Sequence, residues 1–230
     1  MSVAPLAFDA AVAAPPAWLP AAAARLAGAP AADVLAWAVA AFGAGLTVAC
    51  SMQDGVLVDL AVQADPAVEV VFLDTGFHFP ETLETARRLQ ARYRLNLVTL
   101  RPDRDAAVFR RDGTEACCEA RKVAPLDRHL AGRAAWVTGL RRTESPSRAG
   151  AATVEWDAGR GIAKVNPIAA WSDDDVERYI AEHGVLVNPL VYDGYPSIGC
   201  APCTRRVAPG DDPRSGRWAG TSKTECGIHV

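Results

Sequence analysis

Short apolar runs alternate with amphipathic stretches through the middle of the chain. Four of these runs end at polar or glycine-containing turns and are typical of buried strands, at residues 46–50, 68–73, 95–100 and 134–139. The stretches between them predict helices, over residues 56–63, 80–92 and 117–130. Because strands alternate with helices, the pattern predicts an open, mainly parallel α/β sheet with helices on both faces.

The pattern changes beyond Gly150. Short apolar runs at residues 154–156 and 162–165 predict edge strands. Ser172, followed by three aspartates, is typical of a helix N-cap with an acidic first turn, and it predicts a helix through His183. The second half therefore adds a helix and sheet edges to the alternating core.

Proline and glycine are frequent at both ends of the chain. From Asn188 onward they predict loops, and the polar stretch from Pro209 predicts a flexible C-terminal arm. The alanine-rich start, residues 3–32, is broken by several prolines and lacks a basic segment. It therefore predicts a leader with short helices rather than an export signal.

Length and composition fit one large domain with an extension. At 230 residues and 50% hydrophobic content, the chain is long enough to bury a core. No run approaches the ~18 apolar residues of a membrane span, so we expect no membrane partner. Without an export signal we expect a cytoplasmic location. Thiols stay reduced there, and clustered cysteines are more often metal ligands or catalysts than disulfides.

Positive charge is concentrated locally in a chain whose net charge is −3, which argues against a nucleic-acid partner. Two groups of basic residues stand out, one at Arg141, Arg142 and Arg148 and the other at Arg205, Arg206, Arg214, Arg217 and Lys223. Such a local basic funnel fits a small anionic substrate better than a long polyanion. Any single arginine among them is also open to interpretation as a solvated surface residue.

Three loops follow predicted strands, at residues 51–55, 73–76 and 139–142. Ligands of open parallel sheets bind at the carboxyl ends of the strands, where these loops converge. Ser51 and Gly55 mark a strand-to-helix turn whose free N–H groups can hold phosphate. Any tight turn of this kind uses such residues, so the prediction of a nucleotide site rests on the convergence of the three loops.

Four cysteines stand in two pairs, Cys117 with Cys118 and Cys200 with Cys203. Adjacent cysteines suit structural zinc poorly, because their side chains diverge and do not easily reach one ion. Diverging thiolates more easily bind two irons of one 4Fe–4S cluster. We therefore predict a 4Fe–4S cluster, with zinc and the absence of metal as the alternatives. Cys50, at a strand end, is predicted to be a small core residue.

Lys122 and Cys226 are candidate partners of this site. Lys122 follows Cys118 by one helical turn, so its ammonium would stabilise a negatively charged cluster or a bound anion, unless it is an ordinary exposed lysine. Cys226 lies near the C-terminus beside a glycine, where a thiol can swing in and out of a site. Lys223, His229 and the upstream arginines would raise its thiolate fraction. A fifth metal-binding thiol and an inert cysteine remain alternatives for Cys226, and a frayed terminal residue for His229.

Several motifs together resemble one known family. They are the Cys117-Cys118 pair with residues 121–126 behind it, residues 136–142, the Cys200–Cys203 pair, Arg214, Arg217 and Trp218, and the terminal Glu-Cys-Gly-Ile-His at residues 225–229. In order and spacing they resemble the assimilatory adenylyl-sulfate (APS) reductases, the iron–sulfur type within the phosphoadenylyl-sulfate (PAPS) reductase family. The resemblance covers roughly residues 43–230.

The resemblance implies a fold and a set of site residues. The fold is that of the adenine nucleotide α-hydrolases, and the 4Fe–4S ligands are Cys117, Cys118, Cys200 and Cys203. The adenosine and phosphate loops contribute Ser51, Gln53, Gly55, Leu73, Asp74 and Gly76. Arg142, Arg214 and Arg217 hold the phosphosulfate, Lys122 links cluster and substrate, and His229 lies near Cys226. The implied segments are a leader (residues 1–42), a nucleotide and cluster domain (43–208) and a mobile tail with the catalytic cysteine (209–230).

The implied reaction belongs to sulfate assimilation and cysteine biosynthesis. The Cys226 thiolate attacks the sulfur of APS, AMP leaves, and thioredoxin releases sulfite from the S-sulfocysteine intermediate. A PAPS reductase with the same chemistry is the nearest alternative. A metal-stapled nucleotide-binding redox sensor is an alternative of another class. The sequence leaves a homo-oligomer open.

Overall fold

The computed structural model describes residues 14–219, 221, 223 and 225–229. Its strands are β1 (Leu46–Ala49), β2 (Glu69–Leu73), β3 (Asn96–Leu100), β4 (Ala135–Thr138), β5 (Val154–Asp157) and β6 (Ile162–Val165). They form one sheet in the order β3-β2-β1-β4-β6-β5. The β5–β6 pair is antiparallel and the other pairs are parallel, which confirms the predicted mainly parallel sheet.

The helices in the described residues are α1 (Leu19–Leu26), α2 (Ala31–Phe42), α3 (Val56–Ala64), α4 (Pro80–Tyr93), α5 (Phe109–Cys118), α6 (Ala124–Leu130) and α7 (Asp173–His183). They cover both faces of the sheet. Val70 belongs to a large apolar cluster that includes residues of α1 to α4, while its neighbour Val71 belongs to a second cluster with Leu126 and Leu130 of α6. Successive side chains of a strand point to opposite faces, so β2 is buried on both sides.

Two predicted elements differ from the structure. Residues 162–165 were expected at a sheet edge, but β6 lies between β4 and β5 and all its residues are buried. The helix predicted over residues 117–130 is interrupted by a π-helical turn, Glu119–Val123. Pro125 follows this turn and has no N–H to donate to an earlier carbonyl, so the regular α-helical ladder cannot pass through it.

The described part of the leader is packed into the main core. Val34, Leu35 and Ala38 of α2 are fully buried in the same cluster as Val48 of β1. Residues 1–13 of the predicted leader lie outside the described residues, and the division into three segments stays a prediction. No helix in the described part of the chain is long and apolar enough to cross a bilayer.

Candidate active site

An open pocket of about 240 Å³ lies at the carboxyl ends of β1, β2 and β4. This is the edge at which the three predicted loops were expected to converge. The structure brings eight of the predicted site residues to the wall of this pocket: Ser51, Gln53, Leu73, Lys122, Arg214, Arg217, Cys226 and His229. Residues of the nucleotide loops and of the C-terminal tail therefore share one pocket.

Gly55 and Arg142 are not on the pocket wall and make structural contacts instead. The Gly55 N–H donates to Leu186 O over 2.9 Å, and a Cβ at this position would lie 2.6 Å from Leu89 Cδ2. The glycine is thus required for close packing at the start of α3. Arg142 Nε donates to Ala151 O over 2.7 Å. The substrate contacts expected of these two residues stay predictions.

Asp74 and Gly76 shape the turn after β2 and are likewise outside the pocket wall. Asp74 Oδ1 accepts from the Gly76 N–H at 3.1 Å, and Asp74 Oδ2 pairs with Arg101 Nε at 3.1 Å. Gly76 has φ +76°, a conformation that favours glycine. Their described role is to hold the loop that presents Leu73 and Thr75, and a direct contact with substrate stays a prediction.

Gln53 connects the loop after β1 to the segment that leads into the second cysteine pair. Its Nε2 donates to Pro196 O at 3.2 Å, and its Oε1 accepts from the Ile198 N–H at 2.9 Å. The Gln53 carbonyl also accepts from the Asn188 N–H at 3.0 Å. The side chain uses donor and acceptor together, so it fixes the position of the segment just before Cys200.

The two cysteine pairs meet around a small cavity of about 10 Å³. Cys117 and Cys118 end α5, whereas Cys200 precedes a short 3₁₀ turn and Cys203 ends it. Thr75 Oγ1 lies 3.2 Å from Cys200 Sγ. Across the described residues, no three Cys, His, Asp or Glu side chains converge closely enough for a single metal ion. The case for a multi-metal group therefore rests on four thiols sharing one cavity, which is the donor set that iron–sulfur clusters use.

Burial dominates the acid–base properties of three of these thiols. It raises the pKa of Cys117 and of Cys203, and it raises the pKa of Cys118 to about 11. Without a metal the three thiols are therefore protonated near neutral pH. Metal binding releases such protons, because the thiolate is the ligand. The cavity thus fits thiols that ligate a metal better than thiols that act as free nucleophiles.

Lys122 and Arg217 stand on the walls of both cavities, so they separate the cysteines from the open pocket. Burial works against the charge of Lys122, but the nearby Cys226 and Cys200 outweigh it and its pKa is raised. The ammonium therefore stays charged while facing sulfur on two sides. The predicted role of Lys122 between metal site and substrate stays a prediction.

Arg217 is a buried cation with few partners. Burial lowers its pKa, and the nearby Arg214 adds to the effect. Its Nη1 donates to Ser197 Oγ at 3.1 Å, its guanidinium lies 4.5 Å from the ring centre of Trp218, and Nε has no partner within the described residues. A Cβ on Gly199 would lie 2.7 Å from Arg217 Nη2, so the absence of a side chain there makes room for the guanidinium. An anion in the pocket would satisfy the unpaired donor.

The described residues of the tail are folded against the pocket. Cys226 is buried and its N–H donates to Glu225 Oε1 at 2.8 Å. Glu225 forms a two-pronged ion pair with Arg148, with Nη2–Oε1 at 2.7 Å and Nε–Oε2 at 2.8 Å, and a further pair with Arg214 at 3.2 Å. These contacts describe a docked tail, and its mobility stays a prediction.

His229 and Ile228 dock the end of the tail on Trp136 of β4. The His229 ring stacks on Trp136 with centres 6.0 Å apart and an interplanar angle of 14°. Arg160 Nη1 donates to Ile228 O at 3.2 Å. Burial, followed by the nearby Arg148, lowers the pKa of His229 to about 3, so the ring is neutral at physiological pH. The described position is ordered by these contacts and is not a frayed end.

The structure adds pocket residues that the sequence did not single out. Arg148 was visible only as a member of the first basic group, and Glu225 only as the residue before Cys226. Cys50 packs at the edge of the core, as predicted, and also lines the pocket, where burial raises the pKa of its thiol to about 12. His78 lies there as well, with Nε2 2.7 Å from Leu73 O.

Comparison with known proteins gives a consistent result. Residues 45–206 match the family described as phosphoadenosine phosphosulfate reductase domain. Proteins named adenosine 5'-phosphosulfate reductase from Mycolicibacterium smegmatis and Rhodococcus opacus are 53% and 52% identical to this chain, covering 90% of it and 92% of each relative. A similarly named protein from Streptomyces coelicolor is 52% identical, covering 86% of this chain and 87% of the relative.

Solved structures agree with this family match. The crystal structure of phosphoadenylyl-sulfate reductase from Candida auris, a phosphate complex, has a TM-score of 0.69 at 27% identity and covers 82% of this chain and 96% of that one. FMN adenylyltransferase from Candida glabrata has a TM-score of 0.57 at 14% identity, covering 85% and 70%. The second likeness shows the shared fold alone, which is the predicted adenine nucleotide α-hydrolase-like fold.

Proposed function

This chain belongs to the phosphoadenosine phosphosulfate reductase family, and we propose that it reduces adenylyl sulfate to sulfite and AMP with electrons from thioredoxin. One observation carries the proposal. A single tail thiol, Cys226, lines the open pocket beside the cations Lys122 and Arg217, while four other thiols share a separate cavity. The proposed cellular role is assimilatory sulfate reduction in the cytoplasm.

In the first step, the Cys226 thiolate attacks the sulfur of the substrate's sulfonate group. A sulfur–sulfur bond forms, the bond from sulfur to the bridging oxygen breaks, and AMP leaves with that electron pair. The product on the enzyme is S-sulfocysteine. Splitting the transfer in this way is the usual advantage of covalent catalysis.

In the second step, a thioredoxin thiolate attacks the Cys226 sulfur and releases sulfite, which takes the electron pair of the broken sulfur–sulfur bond. The second thioredoxin thiol then displaces Cys226 from the mixed disulfide. Thioredoxin leaves as its disulfide, and Cys226 is restored. The two electrons gained by sulfite therefore come from the thioredoxin dithiol.

The cations of the pocket serve the first step. An anionic substrate repels a thiolate, and Lys122, Arg214 and Arg217 offset this repulsion from the pocket wall. Arg217 has a buried Nε without a described partner, which suits a phosphosulfate oxygen. Charge that develops on the departing phosphate is stabilised by the same groups. His229 lies near the reacting thiol as a neutral ring, so it can orient a neighbouring group by hydrogen bonding.

Cys117, Cys118, Cys200 and Cys203 would hold a 4Fe–4S cluster at the small cavity. When bound, such a cluster would supply fixed negative charge and a rigid framework beside the pocket. Lys122 would then lie between cluster and substrate and shield one from the other. Ligation would also keep these four thiols from competing with Cys226 for the substrate.

Intact mass spectrometry tests the function directly. Anaerobic protein is incubated with adenylyl sulfate without thioredoxin, and we expect one sulfonate adduct on the wild type and none on Cys226→Ser. An adduct that persists in Cys226→Ser would reject the proposed nucleophile. Repeating the incubation with phosphoadenylyl sulfate identifies the preferred substrate. A nucleotide-binding redox sensor would form no adduct with either compound.

A further inference from the structure

Glu225 stands at the centre of a buried network that holds the tail. We propose that Glu225 is a positioning residue, whose carboxylate docks the tail on Arg148 and thereby fixes Cys226 in the pocket. The catalytic importance of this docking rests on the proposed function, but the docking itself does not. The sequence places Arg148 in a basic group and Glu225 in the terminal motif, but it does not pair the two residues.

The first argument is geometric. Both oxygens of Glu225 are engaged by Arg148 in parallel hydrogen bonds, and both side chains are only 9% exposed. Two-pronged arginine–carboxylate pairs fix orientation as well as distance. The same Oε1 accepts the N–H of Cys226, the next residue. The backbone that carries the thiol is therefore tied to the carboxylate without any intervening side chain.

The second argument is the anchorage of Arg148 itself. Its Nη1 pairs with Glu144, and Glu144 Oε2 also accepts the Arg141 N–H at 3.2 Å. Both partners belong to the segment that follows β4, which also carries Arg148. The network therefore connects the tail to a loop at the carboxyl end of a central strand. A rigid anchor of this kind is what a positioning residue needs.

The third argument separates Arg148 from Arg214. Arg214 contacts Glu225 from the tail side at 3.2 Å and is one of the cations proposed to hold the substrate. An anionic substrate that draws Arg214 away would leave the Arg148–Glu225 pair intact. Arg148 is thus the dedicated anchor, and Arg214 is shared between carboxylate and substrate.

A role for Glu225 in proton transfer does not fit these contacts. Both oxygens already accept hydrogen bonds from arginine. Burial alone would raise the pKa of the carboxyl, but the Arg148 hydrogen bonds and the Cys226 N–H outweigh it and lower the pKa to about 2. A carboxylate that stays ionised so firmly is a poor general base near neutral pH. Docking explains the same contacts without a proton-transfer step.

Alkylation of Cys226 tests the docking without any substrate. Wild-type protein and variants are treated with iodoacetamide, and modification of the Cys226 peptide is followed over time by mass spectrometry. In Glu225→Gln we expect the rate to rise by roughly tenfold or more, because a broken buried ion pair leaves an unpaired charge and favours release of the tail. Glu177→Gln, an exposed change on α7, is the matched control and should leave the rate unchanged.

A second variant separates exposure from electrostatics. Glu225→Gln removes a negative charge beside the Cys226 thiol. This loss of charge by itself favours the thiolate form. Arg148→Gln removes a positive charge and has the opposite direct effect on the thiol, but it breaks the same ion pair. We expect faster alkylation in both variants. Glu225→Asp, which keeps the charge, should retain part of the protection.

The outcomes distinguish docking from the proposed function. Faster alkylation in both variants, together with slower adduct formation from adenylyl sulfate, supports both ideas. Unchanged alkylation in either Glu225→Gln or Arg148→Gln overturns the docking role, even if the wild type forms the adduct. If alkylation rises but the wild type forms no adduct, docking stands and the reductase proposal fails. Thermal melting of each variant verifies that a change in rate does not reflect global unfolding.

Discussion

Cys118 and Cys226 are equally buried, each 7% exposed, yet the contacts that hold them differ in kind. Cys118 ends a helix and lines a cavity walled by Phe77, Phe109 and Trp218. Cys226 is held through charged and polar contacts of its neighbours in the tail. Apolar packing keeps a thiol where it is, whereas ion pairs can be exchanged for water or for another anion. Burial alone therefore does not tell a ligand from a nucleophile.

Further charged and polar contacts hold other residues of the tail. Lys223 pairs with Glu115, Glu225 with Arg148, and the Ile228 carbonyl with Arg160. Each of these contacts joins the tail to a different part of the domain. The proposed second step needs the tail to be released, because thioredoxin must reach a thiol that is buried in the docked state.

Serine substitutions should give the largest effects and separate the two kinds of thiol. Cys200→Ser should lose iron as well as activity, because a four-cysteine cluster depends on each ligand. Cys226→Ser should lose activity by on the order of 10³-fold or more, as removal of a nucleophile usually does, but should keep its iron. Iron and sulfide analysis of anaerobic protein, with about four irons per chain expected, measures the first effect. Sulfite release measures the second.

The same metal analysis, on the wild type and on Cys226→Ser, also tests the zinc alternative. Colourless wild-type protein with one zinc per chain would contradict the assignment of the small cavity to an iron–sulfur cluster. Iron loss from Cys226→Ser would contradict the division between ligands and nucleophile.

Gly199→Ala should give the next largest effect, because it moves a cation that serves both cavities. The added Cβ would lie 2.7 Å from Arg217 Nη2, so the guanidinium must shift. We expect KM for adenylyl sulfate to rise roughly tenfold or more, as for a lost hydrogen bond to a charged group. Gly150→Ala is the matched control, since a Cβ there meets nothing within 4 Å. Equal KM values in the two variants would remove Arg217 from substrate binding.

Gln53→Glu should have a smaller effect. It tests the link between the loop after β1 and the segment before Cys200. The new carboxylate would lose the donor that bonds Pro196 O and would place negative charge against that carbonyl. We expect a loss of about 1–2 kcal/mol in the free energy of unfolding, measured with urea. Gln90→Glu, at an exposed position of α4, provides the comparison. If both variants unfold alike, Gln53 does not hold the segment before Cys200.

The last effect concerns the pH dependence of stability at the docked tail. The pKa of His229 is lowered from 6.5 to about 3, mainly by burial and then by Arg148. The unfolded chain therefore binds the proton more tightly between these values, and stability falls as pH drops from 6.5 towards 3. His229→Phe keeps a ring against Trp136 without titrating, so it should be less sensitive to pH in this window. Urea unfolding at several pH values compares the two proteins, and parallel curves would contradict the buried, neutral histidine.

The sheet was predictable because its signals are local. Apolar runs such as residues 68–73 and the cap at Ser172 specify strands and helices from neighbouring positions alone. The loops at strand ends then follow from the geometry of parallel sheets. The two cysteine pairs also predicted that the four thiols meet, because diverging adjacent thiolates suit a four-cysteine cluster better than a single ion.

The contacts inside the pocket were not predictable in the same way. Arg148 and Glu225 are distant in sequence, and nothing in either local pattern says which arginine meets the tail. The resemblance implies that Arg142 holds the phosphosulfate, yet Arg141 and Arg148 are the arginines of that segment that line the pocket. The local sequence predicts only that Gln53 lies in a loop. Its hydrogen bonds to Pro196 and Ile198 depend on how two distant loops pack. Side-chain pairing across the fold decides these roles.

Native mass spectrometry of anaerobically purified protein, before and after adenylyl sulfate, is the most direct measurement of the central claim. We predict that one sulfonate group is added at Cys226 while the mass of a complete 4Fe–4S cluster is retained on the same molecule. A sulfonate on Cys117, Cys118, Cys200 or Cys203, or release of iron when Cys226 is modified, would contradict the account.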